Sequence, residues 1–76
     1  MNNKKRYLLK SAVQILEQAH DYVSTALEDE QDCLDNMPEN LQSSEKYEKM
    51  EEAISNLESA IESIENAKDS IESASM

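Results

Sequence analysis

From residue 53 onward alanine returns at every seventh position, as Ala53, Ala60, Ala67 and Ala74. Ile54, Leu57, Ile61, Ile64 and Ile71 run beside it, and Glu51, Glu58, Glu65 and Glu72 keep the same period. A seven-residue repeat of small, large and acidic positions specifies a long helix that packs along its length with a left-handed supercoil. Other architectures are closed to this chain. It has no glycine and a single proline, so it lacks the residues that build hairpin turns or phosphate-cradling loops.

The first half follows the same logic and predicts a helix over about residues 3–34. Leu9, Leu16 and Val23 form one heptad column, and Ala12, Ala19 and Ala26 the next. Leu8, Ile15 and Tyr22 flank that pair on one side; Val13, His20, Leu27 and Leu34 flank it on the other. Four largely apolar columns are wider than one neighbouring helix covers. Leu8, Val13, Ile15, Tyr22 and Leu27 are therefore the candidate dimer interface, and a homodimer is the expected partner arrangement.

The one break is DNMPENLQSS, residues 35–44. Met37 precedes proline, which disfavours helical geometry there. The second helix then starts at Pro38, a favoured first helical position, or at Ser44, a favoured cap, and runs to about Ala74. A short connection makes the helices antiparallel neighbours. If the turn centres between Glu39 and Asn40, then Ala12, Ala19 and Ala26 lie level with Ala67, Ala60 and Ala53. If helix 2 opens at Pro38, each alanine meets a large residue instead. In either case the fold class is all-α: an antiparallel helical hairpin, expected to dimerise into a four-helix bundle.

Seventy-six residues make one domain, and a chain this short buries too little surface to be robust alone. The formal charge is −10, from 17 acids against 7 bases. Nucleic acid and anionic membrane are thus excluded as partners, while a basic protein surface is suited. Lys10, Ser11 and Gln14 interrupt any apolar run behind the basic start, so no signal peptide is expected. No segment approaches the ~20 apolar residues of a membrane span. Cys33 is the only cysteine, which fits a reducing cytoplasm rather than a disulfide framework.

The densest charge feature is EDEQDCLD. Its acids, Glu28, Asp29, Glu30, Asp32 and Asp35, are the candidate docking residues for a basic partner. They lack the glycine and spacing of a calcium loop. They also sit at a helix C-terminus, where acids oppose the macrodipole. Lys4, Lys5 and Arg6 are the mirror anomaly at the N-terminus. An antiparallel second protomer would relieve both. His20, beside Asp21 and Glu17, has no nucleophile or pocket and reads as an interface histidine. Acids around Cys33 suppress thiolate chemistry. The Glu51–Glu58–Glu65–Glu72 column faces outward by the heptad and lacks the Glu-x-x-His pattern of di-iron bundles. Lys68, among isoleucines, either snorkels or sets register. No catalytic, metal or cofactor residues are expected.

The segment DCLDNMPENLQSSEKYEKMEEAISNLESAI, within residues 28–65, resembles small, acidic, mostly uncharacterised helical proteins of Gram-positive bacteria and their phages or mobile elements. Its most specific part is DNMPENLQSSEKYEKME. The resemblance implies an intracellular, phage-linked helical hairpin and transfers no site residues. The functional expectation is a non-enzymatic interaction protein acting through an acidic helical surface, as an inhibitor or nucleic-acid mimic. The alternative is an assembly subunit that forms a helical homo-oligomer.

Overall fold

Nothing between Asn3 and Asp35 interrupts a helix. The stretch holds no glycine or proline and is rich in Leu, Lys, Ala, Glu and Gln, all good helix formers. In the computed structural model, which describes residues 1–76, α1 spans Asn3–Asp35. Asn2 caps it, accepting the Lys5 backbone N–H at 2.8 Å. Its last turn closes with the Asn36 N–H donating to the Asp32 carbonyl at 3.1 Å. The helix stops there because Met37 stands before Pro38 and cannot easily stay helical.

Pro38 is extended, with φ −58° and ψ 145°. It opens a single 3₁₀ turn over Glu39–Leu41 rather than the second helix. The Leu41 N–H donates to the Pro38 carbonyl at 2.9 Å, and the Gln42 side chain donates to the Met37 carbonyl at 3.3 Å. Of the two starts that the sequence leaves open, Ser44 is the one used. Its hydroxyl accepts the Tyr47 N–H at 3.2 Å and donates to the Leu41 carbonyl at 2.6 Å. One hydroxyl therefore satisfies both the 3₁₀ turn and the new helix. From this cap α2 spans Glu45–Ala74.

α1 and α2 pack against each other as an antiparallel hairpin. Glu17 reaches Lys68 across the seam, and His20 reaches Glu65. Continuing that register, Ala19 is level with Asn66, not with Ala60. The alanine-on-alanine alignment is thus displaced by six residues, or ~9 Å at the helical rise. The alternative of an earlier turn fails as well. The cause is the 3₁₀ turn, which carries the chain past the end of α1 before α2 begins. Asp35 lies level with Met50, so the first turn of α2 overhangs one end. Met76 lies level with Leu9, so the first turns of α1 overhang the other.

The hairpin is long and thin, 59 × 15 × 13 Å, with a radius of gyration of 17.4 Å. A compact chain of this length would have about 11 Å. Ile54, 7% exposed, is the single buried residue. Ala19 and Ala60 are only half-buried. A compact protein of 8.6 kDa exposes about 4,700 Å², whereas this chain exposes 5789 Å². Two helices in one layer have an inside only along the line where they touch.

Candidate interaction surface

The seam uses part of α1's apolar width. Leu9, Leu16 and Val23 are half-buried, as are Val13 and Leu27. Val13 sits with Leu9 in a shallow groove closed by Glu72 of α2, by Ser75 just past its end, and by Arg6 and Lys10. Leu8, Ile15 and Tyr22 remain in water, 56%, 65% and 79% exposed. The predicted dimer-interface set therefore divides. Val13 and Leu27 lie toward the intramolecular seam, and Leu8, Ile15 and Tyr22 form a free column.

That column is straight because its members are seven residues apart, two helical turns each. Ala26, also exposed, extends it beside Tyr22, and Ala12 and Ala19 lie half-buried between it and the seam. Small residues there leave the large ones standing proud. From Leu8 to Tyr22 the column runs ~21 Å along the helix. Tyr7 is 71% exposed on the overhanging end. Heptad reasoning did not single it out, because it falls outside the four apolar columns. Tyr7 shares the outward face of α1 with Gln14, Asp21 and Glu28, which are also exposed.

The acids are placed differently. Glu28, Asp29, Asp32 and Asp35 are exposed, while Glu30 is half-buried. Gln31 donates to Asp35 at 3.0 Å along the same helix. Glu28, Asp32 and Asp35 follow i, i+4, i+7 spacing and share one exposed face, with Asp29 at its edge, while Glu30 turns away from it. The Glu51, Glu58, Glu65 and Glu72 column is exposed throughout. No three His, Cys, Asp or Glu side chains are placed to share one cation. Cys33 is free and exposed.

Mid-seam, the two helices join through polar groups. Lys68 Nζ lies 3.6 Å from Glu17 Oε1, so the lone base among the isoleucines is paired. His20 Nε2 donates to Glu65 Oε1 at 3.1 Å, and its Nδ1 lies 3.4 Å from Ser24 Oγ. Glu17, His20, Asp21, Glu65, Lys68 and Asp69 line an open groove without a single apolar wall. Ser24, His20 and Glu65 follow the order of a hydrolytic triad. Acyl transfer also needs free N–H donors for the developing oxyanion. Here the surrounding backbone is mid-helix on both sides, so its N–H groups are committed to the helices. The His20–Glu65 and Lys68–Glu17 contacts join the two helices.

No helix is long and apolar enough to cross a membrane. No protein-family model, curated protein or solved structure matches the chain.

Proposed function

We propose that this chain is a non-enzymatic interaction protein that works by helix-to-helix association through the Leu8–Ile15–Tyr22 face of α1. One observation carries the reading. The hairpin buries Ile54 alone, yet leaves three large apolar side chains of one column more than half exposed. A soluble chain rarely keeps a contiguous apolar stripe in water unless something covers it. With so little core, covering that stripe also supplies the burial that the hairpin lacks.

A second reading has its own support. The charge of −10 and the exposed Glu28, Asp29, Asp32 and Asp35 suit a partner with a basic surface. They also suit an inhibitor or nucleic-acid mimic acting through an acidic helical surface. The two readings respond differently to salt. Binding through exposed acids weakens as salt screens it, whereas apolar burial persists.

The test compares two variants in cells that produce the tagged chain. Ile15→Glu places a charge in the stripe. The other variant neutralises Glu28, Asp29, Glu30 and Asp32 to their amides. The proposal expects Ile15→Glu to lose whatever co-purifies with the wild type, a second copy or another protein, and the neutralised variant to keep it. The reverse pattern would replace the stripe with the acids as the working surface.

A further inference from the structure

The occupant of the stripe can be named, on the reading just proposed. We infer that it is a second copy of this chain, lying antiparallel on α1 with the two-fold axis at Ile15, so that Leu8 of each protomer packs against Tyr22 of the other.

Direction comes first. Ile15 and Leu16 are consecutive, so the stripe is turned about 100° from the column that includes Leu16, on the seam side. A helix in a four-helix bundle needs two apolar faces about a right angle apart, one for each neighbour. α1 has them, and its own α2 fills one.

Charge sets the orientation, and a second copy carries the charge pattern that does so. Residues 1–16 carry Lys4, Lys5, Arg6 and Lys10 and no acid. Residues 17–35 carry seven acids and no Lys or Arg. Neither end is neutralised within α1 itself, because its first turn has no acid and its last has no base. A parallel copy would lay base on base and seven acids on seven acids. An antiparallel copy brings Lys4 and Lys5 to within about one helical turn of the partner's Glu28 and the partner's Asp29. Helix ends of opposite macrodipole sign meet there as well. A different partner would need the same polarised charge and the same apolar spacing, and a second copy carries both by construction.

The geometry of the column agrees. Leu8, Ile15 and Tyr22 are evenly spaced about Ile15, so a two-fold axis there returns the column onto itself, as an isologous contact requires. The overhang of α1 beyond α2 leaves the Leu8 end open to the approaching helix.

Cysteine pairing tests both the copy and its direction. In a Cys33→Ser background, Leu8→Cys and Tyr22→Cys chains are purified separately, checked for helicity, mixed and mildly oxidised. The expected product is the mixed disulfide between the two variants. Each variant alone should stay unlinked, because the antiparallel axis holds its two cysteines ~21 Å apart, beyond the ~7 Å that a disulfide spans. Ile15→Cys, a smaller change at the axis, should link to itself. Wild-type Cys33 should not, because the same axis separates its two copies by ~54 Å. Glu62→Cys, on the exposed face of α2, sets the level of chance collision. Self-linked Leu8→Cys, or self-linked wild-type Cys33, would overturn the antiparallel direction. No linkage above the Glu62→Cys level from any stripe variant would overturn the second copy. The stripe would then belong to another protein, which the Ile15→Glu comparison detects independently.

Discussion

Ile54 is where this hairpin concentrates what little interior it has. The heptad marks Ile54, Leu57, Ile61, Ile64 and Ile71 as equivalent, and sequence offers no means of ranking them. The register separates them, by setting Ile54 level with Gln31, between Leu27 and Leu34. Ile54→Ala should cost about 2–5 kcal/mol, the range for large-to-small changes at buried sites, read from thermal unfolding followed by circular dichroism. A loss below ~0.5 kcal/mol, the scale of an ordinary surface change, would contradict the assignment of Ile54 as core. The polar pairs should behave in the opposite way. Glu17 and Glu65 are well exposed, and exposed pairs contribute about 0–1 kcal/mol. Glu17→Gln and Glu65→Gln should therefore each shift stability by less than ~1 kcal/mol, and a larger loss in either would make the polar seam a main support of the hairpin. Lys68 shows the limit of sequence at this scale. Its position in a core column was legible, but Glu17 as its partner depends on a register that sequence left open.

At the scale of elements, the helices were legible and their alignment was not. An unbroken run of helix formers, a break confined to residues 35–44 and two candidate caps follow from residue chemistry alone. How far α2 slides along α1 does not, because a heptad fixes which face turns inward and leaves translation free. The slide is set by Pro38, which starts a 3₁₀ turn, and by Ser44, whose hydroxyl ends that turn and caps α2. Ser44→Ala should cost about 0.5–2 kcal/mol, as loss of an N-cap does. Ser43→Ala should stay within ~0.5 kcal/mol, since Ser43 is exposed and away from the cap. Thermal melts of the two variants decide this, and a larger loss for Ser43→Ala would make α2 begin one residue earlier. The same slide makes α1 project beyond α2 at the end that carries Tyr7 and Leu8. The width of the apolar face on α1 could be counted in sequence. Which flank stays wet could not, because that depends on the side from which α2 approaches.

For the whole molecule, the account comes down to area. A chain of 76 residues with one buried side chain has too little core to hold 33- and 30-residue helices by packing alone, and long helices in proteins rely on packing more than on propensity. Association should therefore be coupled to folding. Diluting the protein should lower its helicity and its mass together, with a melting temperature that rises with concentration. Constant helicity and melting temperature across a hundredfold dilution would uncouple the two. The most direct measurement is sedimentation equilibrium at micromolar concentration, in low and in high salt. A well-folded particle of twice the 8.6 kDa chain mass that persists in high salt is the predicted result, since apolar burial holds the contact and charge only orients it. A stable, fully helical monomer of 8.6 kDa under the same conditions would contradict it.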